Sequence, residues 1–311
     1  MRWLRGKRRE PGWLAVSLRP DSLSFAHARA SGERAALTRC GAQPLEGEYH
    51  GAERVGRELE LDRFQCVTLL APGEYQLLLV DAPNVPPAEL KTAIRWRIKD
   101  MIDFHADDAT VDVLDIPPDP AAANRQHSMY AVVAKNEVIQ ERIGRFDAAR
   151  IPLSVIDIPE TAQRNLASPF EPEGRGVALL YVSRDHALLT INFGKELYLA
   201  RRIDTGLDQI LAAPPGGRDE PFNRIVLELQ RTLDHFDRQF RFVSVAKLLL
   251  GPEPEDTGLE AFLASNLDLP VERIRLGEAF AFSPGAALGP ADEWRLFHLL
   301  GATLRTEQKA L

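Results

Sequence analysis

Apolar and polar positions change rhythm several times along this chain, and each change marks a predicted element. Trp13–Leu18 and Leu23–Ala28 read as short strands on either side of Arg19-Pro20-Asp21, a strong turn signal. Phe64–Leu70 and Tyr75–Val80 repeat that arrangement around Ala71-Pro72-Gly73. Over Ala88–Phe104 the period becomes helical. Leu90, Ile94, Ile98, Met101 and Ile102 fall on one stripe, and Pro86-Pro87 suits a first turn, where the missing N–H is not needed. The other faces carry Lys91, Arg95, Arg97 and Lys99, interrupted by Trp96. An acidic turn (Asp103, Asp107, Asp108) leads into Thr110–Asp115, whose alternation predicts a half-buried strand. A strand at Met129–Ala134, a helix at Asn136–Ala149, a strand at Leu153–Ile158 and a helix from Pro159 toward Leu166 complete this half.

The polar, Pro- and Gly-rich stretch Pro169–Gly176 is the predicted boundary between two lobes. Beyond it Val177–Val182, Leu188–Phe193 and Leu197–Arg202 form a three-strand meander that resembles the chain's beginning. Ala213–Glu220 reads as a loop. In Phe222–Phe240 the residues Phe222, Ile225, Val226, Leu229, Leu233, Phe236 and Phe240 are three or four apart and line one face of a long helix. A strand at Ala246–Leu250 and a helix at Leu259–Leu267 follow. Strand meanders followed by helices, twice over, predict an α/β protein with an internal duplication.

The 311-residue length suits two lobes. A net charge of −7 argues against a general nucleic-acid binder. Cys40 and Cys66 have no metal-ligand spacing, which suits a reducing compartment. No stretch reaches the ~18 apolar residues of a membrane span. The N-terminus is basic (Arg2, Arg5, Lys7, Arg8, Arg9) but no apolar core follows, which argues against an export signal. Such a tail can meet an anionic membrane surface, each charge contributing about 1 kcal/mol.

The order of these elements resembles the PilM-like family of type IV pilus assembly proteins, and within it the MshI-type branch of mannose-sensitive haemagglutinin (MSHA) pilus systems. Three segments carry the likeness: Ala88–Ile116, LELQRTLDHFDRQF running into KLLLG within Phe222–Gly251, and Gly301-Ala302-Thr303-Leu304-Arg305. The resemblance implies an actin-like, ribonuclease H-like duplicated fold: a basic tail (1–12), a first lobe (13–168) with an inserted α/β subdomain near 83–150, and a second lobe (177–311). It also implies a cytoplasmic place, peripheral at the inner membrane. The implied partner is the cytoplasmic tail of a PilN-like bitopic inner-membrane protein, with homo-oligomers possible and no nucleic acid bound.

An actin-like site holds Mg-ATP between two strand–turn–strand phosphate loops, with an aspartate in each loop serving the metal and its water. Here the first loop's aspartate–apolar–glycine is Ser17-Leu18-Arg19, followed by Pro20, which has no N–H to donate. The family's lysine falls at Ser24. In the second loop the same triplet is Tyr181-Val182-Ser183, and the usual threonine is Ala187. The adenosine step Gly-Gly-Gly becomes Gly251-Pro252-Glu253. These losses imply a nucleotide-free pseudo-ATPase with no catalytic residue and no metal; ATP with magnesium enters only if the altered pocket still binds it. The alternative is an active ATPase of the same fold, serving a pilus or a type II secretion machine.

Other candidate chemistry is weaker. Asp204-Thr205-Gly206 and Asp256-Thr257-Gly258 imitate aspartic-protease signatures, but the second has no apolar strand leading into it, and two turns are the plainer reading. The histidines fall at no metal spacing, and no GxSxG, Walker or GxGxxG motif is present. The expected partner surface is the basic helix over Ala88–Phe104. There Trp96 would supply apolar area while Arg95 and Arg97 meet peptide carbonyls or carboxylates. The competing reading packs Trp96 inside.

Overall fold

The computed structural model describes residues 9–47, 49–119 and 127–306. Arg2, Arg5, Lys7 and Arg8 of the basic tail lie outside the described residues. Two compact units emerge. Among the described residues, one holds residues 9–23 together with Ala42–Pro159; the other holds Ser24–Gly41 and residues 160–306. The units thus divide at Pro159/Glu160, upstream of the stretch Pro169–Gly176.

The chain opens with β1 (Trp13–Arg19), β2 (Ser22–Arg29) and β3 (Ala35–Pro44). In the first unit follow α1 (Ala52–Glu58), β4 (Gln65–Leu69), β5 (Tyr75–Asp81), α2 (Leu90–Ile98), β6 (Ala109–Ile116), β7 (Ser128–Lys135), α3 (Asn136–Ala148) and β8 (Leu153–Asp157). β4 lies parallel to both β1 and β8, with Leu14 opposite Cys66 and Val67 opposite Val155. A separate antiparallel sheet has the order β5-β7-β6. Ile94 and Ile98 of α2 cover one of its faces, against Val80, Val111, Met129, Ala131 and Val133. Tyr75 and Ala134 on the other face meet Leu70 and Ile158.

Two expectations change here. β4 and β5 are not a hairpin; they belong to different sheets. The buried Arg142 of α3 holds the chain where it leaves one for the other. It donates to Leu69 O (2.9 Å) and to both carboxylate oxygens of Glu74 (2.8 and 2.5 Å), while Ala71 N donates to Glu74 Oε2 (2.6 Å). The helix over Ala88–Phe104 is also shorter than its stripe suggests. A 3-10 turn at Pro87–Glu89 precedes α2, which ends at Ile98, and Met101 lies beyond it, 47% exposed.

The second unit continues with α4 (Pro159–Ala167), β9 (Gly176–Val182), β10 (Ala187–Phe193), β11 (Glu196–Ile203), α5 (Leu207–Ala212), α6 (Asp219–Gln239), β12 (Val245–Leu250), α7 (Leu259–Asn266), β13 (Val271–Arg273), α8 (Leu276–Ala279), β14 (Phe280–Phe282) and α9 (Pro290–Thr303). Its sheet has the order β11-β10-β9-β12-β13. β9, β10 and β11 are an antiparallel meander, and β12 lies parallel to both β9 and β13. The predicted stripe of α6 is the buried face: Phe222, Ile225, Val226, Leu229 and Phe236. The expected loop Ala213–Glu220 is shorter, because α6 already begins at Asp219. β14 pairs parallel with β3, Phe280 opposite Ala35, and Arg34 reinforces the join by donating to Gly277 O (2.7 Å).

The duplication is visible in chain order. In each half, three consecutive strands precede one parallel to the first of them, and then another parallel to that: β1, β4, β8 and β9, β12, β13. Among the described residues, no helix is long and apolar enough to cross a membrane.

Candidate functional site

The β1–β2 turn carries the first set of predicted positions. Ser17 is half-buried on β1, Arg19 is exposed at its end, and Ser24 is half-buried on β2. Carbonyls of this turn are held from the segment after β3: Tyr49 N donates to Pro20 O (3.0 Å) and Leu45 N to Asp21 O (2.7 Å). Ser22 Oγ donates to Asp21 Oδ1 (2.9 Å).

In the second unit Tyr181, Ser183, Ala187 and Gly251 converge. Tyr181, next to last in β9, is buried. Its hydroxyl donates to Trp294 O (2.8 Å), and its ring stacks on Phe297 (4.8 Å between centroids, 8° between planes) and meets His298 edge-on (4.6 Å). Trp294 Nε1 donates back to Val182 O (2.8 Å). Gly251 closes the other side: its N–H donates to Leu180 O (2.7 Å), and a Cβ there would lie 3.0 Å from the Tyr181 ring. Pro252 follows half-buried. Glu253 is buried, accepting from Thr257 Oγ1 (2.5 Å) and from Arg273 (2.8 Å).

The turn between β9 and β10 is closed on itself. Ser183 N donates to His186 O (2.8 Å), and the Ser183 hydroxyl has two acceptors within reach of its one proton, His186 O (2.7 Å) and Asp185 Oδ1 (3.0 Å). Burial alone would push the Asp185 carboxyl up, but hydrogen bonds from His186 and Ser183 outweigh it and hold the group below the usual carboxylate range. Serine and aspartate both address the same ring nitrogen of His186, so the trio is not a nucleophile–base–orienter relay. At the start of α5, Leu207 N and Asp208 N donate to Ser183 O (2.8 Å) and Arg184 O (2.9 Å). A Cβ on Gly206 would lie 2.3 Å from Arg184 O, so this approach requires glycine. That contact gives Asp204-Thr205-Gly206 a structural reason.

Behind Tyr181 lies a buried polar pin absent from the sequence reading. Gln163 of α4 donates to Leu179 O (2.7 Å), Leu188 O (3.0 Å) and Thr190 Oγ1 (3.2 Å), and its Oε1 accepts from His298 Nε2 (3.1 Å). Burial, aided by the charge of nearby His186, pushes His298 down to about 3. Gly289-Pro290 opening the apolar run EWRLFHLL was the readable sign of α9.

On α2, Trp96 points away from the core, 70% exposed, with Lys99 Nζ over its ring (5.9 Å). The reading that packed Trp96 inside is therefore set aside. Arg97 is exposed, whereas Arg95 turns to the sheet and donates to Ala109 O (3.1 Å). Lys91 pairs with Asp112 of β6 (2.9 Å).

Among solved structures, the chain is similar to one described as "PilM-PilN type IV pilus biogenesis complex", with 17% identity and a TM-score of 0.69 over 97% of this chain and 99% of that one. The fold is actin-like. A second similar structure is the cytoplasmic domain of EpsL, an inner-membrane component of the type II secretion system of Vibrio cholerae, with 13% identity, a TM-score of 0.50 and 95% of each chain covered. At such identities the likeness is one of fold. No family model and no curated protein matches the sequence.

Proposed function

We propose that this chain is a non-catalytic actin-like scaffold of a type IV pilus assembly platform of the MSHA type. It would sit in the cytoplasm against the inner membrane and hold the cytoplasmic tail of a PilN-like bitopic membrane protein. The observation that carries the non-catalytic part is Tyr181. It stands where the resemblance places a metal-serving aspartate, its hydroxyl is committed to Trp294 O, and its ring packs on Phe297 and against Gly251. Magnesium requires oxygen ligands, chiefly carboxylates and phosphates, and this arrangement offers no carboxylate at that position. The first-turn amides of α5 are likewise committed to Ser183 O and Arg184 O. The donor set does not fit Mg-ATP.

Support for docking comes from the fold shared with a chain of the PilM-PilN complex and from α2. An exposed tryptophan opposite a helix's buried face adds nothing to folding, while such aromatics anchor interfaces. Two assays on Trp96→Ala test the reading: thermal unfolding, and titration with a synthetic peptide of the cytoplasmic tail of a PilN-like protein from the same organism. Stability should change by less than about 0.5 kcal/mol, while affinity falls about tenfold or more. A tail that fails to bind the unaltered chain, or that binds Trp96→Ala equally well, overturns the proposal.

A further inference from the structure

The surface that begins on the outward face of α2 has a direction. Trp96 and, just past the helix, Met101 are both exposed. Of the four cations on this stretch, Lys91 and Arg95 are turned back onto β6 and its approach, and Lys99 lies over the Trp96 ring. Arg97 and Lys99 therefore supply the charge on the tryptophan side. Residues 100–108 then read DMIDFHADD, with four carboxylates and no lysine or arginine. Asp100, Asp103, Asp107 and Asp108 are all exposed, and among the described residues none pairs with a lysine or arginine. Gln76 donates to Asp103 (3.5 Å), and His105 stands beside Asp107 (3.5 Å). Folding thus gathers like charges here that repel one another and that no cation of the described residues offsets.

We infer that the docked tail crosses this surface in one direction: its apolar residues on Trp96 and Met101, its membrane-side lysines and arginines on Asp100, Asp103, Asp107 and Asp108. The inference rests on the docking proposal above and names the chemistry of the segment that docks. Cytoplasmic segments within about 15–20 residues of a membrane span carry an excess of lysine and arginine. The tail of a bitopic protein therefore brings cations at the end nearest the membrane. The reverse direction would set those cations against Arg97 and Lys99 and leave the four carboxylates unanswered. Exposed charges of this kind act mainly on the rate of encounter and its salt dependence, while a covered tryptophan governs how long the complex lasts.

Titration of the full chain with the same synthetic tail, extended to its membrane boundary, tests it. The triple variant Asp103→Asn/Asp107→Asn/Asp108→Asn changes exposed side chains and should melt with the parent. It should bind the tail about fivefold more weakly in about 50 mM salt, and the deficit should shrink in about 1 M salt, where screening acts within about 3 Å. A tail whose membrane-side lysines and arginines are changed to glutamine should bind parent and variant alike. Removing three carboxylates from the second unit, as Asp234→Asn/Asp237→Asn/Asp268→Asn, should leave affinity as it was. An unaltered tail that binds the parent and the first triple variant equally overturns this inference while docking stands. Equal weakening by both triple variants assigns the effect to net charge and overturns it too. A tail that does not bind the parent overturns both readings.

Discussion

His298 shows how one residue ties the chain's stability to pH. Its ordinary value near 6.5 falls to about 3, first because burial disfavours the imidazolium and then because His186 is near. Below pH 6.5 the unfolded chain takes up a proton that the native chain refuses, so stability drops as pH falls from 6.5 toward 3. This residue should cost about 2 kcal/mol between pH 7 and pH 5, a window above the titration of ordinary carboxylates. His298→Gln keeps a donor for Gln163 and has no proton to gain. Urea unfolding at the two pH values should show a smaller difference for the variant than for the parent. Equal differences would clear His298 of the effect. The sequence marked His298 as one histidine among seven without metal spacing. Its partner Gln163 lies 135 residues away, a pairing that only the packing of α4 against α9 creates.

Elements were legible where periodicity was strong. The apolar stripe of α6, the meander β9–β11 and the alternation of β6 all reflect a buried face that imposes its own period on the sequence. Short elements carried too few turns to display one: β14 is three residues long and gains its place by pairing with β3, far away in the chain. The β4–β5 junction misled for a different reason. Its Ala-Pro-Gly turn suits a hairpin, but Arg142, from α3, sends the two strands to different sheets. Arg142→Ala would leave Leu69 O and the Glu74 carboxylate without this partner in a partly buried place. Removing one member of such a pair costs about 3 kcal/mol, measurable as a lower urea midpoint with an unchanged slope. A loss under about 0.5 kcal/mol would mean that the junction holds without it.

For the whole molecule, the internal duplication was readable because each half repeats the same succession of strands, while its actin-like form was implied by the family resemblance and is shown by the likeness to solved structures. The loop triplets Ser17-Leu18-Arg19 and Tyr181-Val182-Ser183 could be compared with the family's only as residue types. What packs on Tyr181 was not readable, because Trp294 and Phe297 arrive from a helix more than a hundred residues downstream. The scaffold reading makes a prediction at this scale. Mg-ATP at one hundred times a binding constant would add about 2.7 kcal/mol to any chain that binds it. Millimolar Mg-ATP should therefore leave the melting temperature where it was and release no phosphate. A clear upward shift that Gly251→Ala or Ser183→Ala abolishes would return the chain to the nucleotide binders.

The contacts around Tyr181 also bear on how freely this sequence can change. Aspartate at position 181 would vacate the ring's space beside Phe297 and strand the Trp294 carbonyl. It would also set a carboxylate beside Phe297 and a histidine held neutral. Each of these changes is unfavourable alone, and no single further substitution repairs them together. The arrangement therefore acts as a ratchet: with an aromatic residue wired in at this point, any change toward a carboxylate here must cross several unstable intermediates.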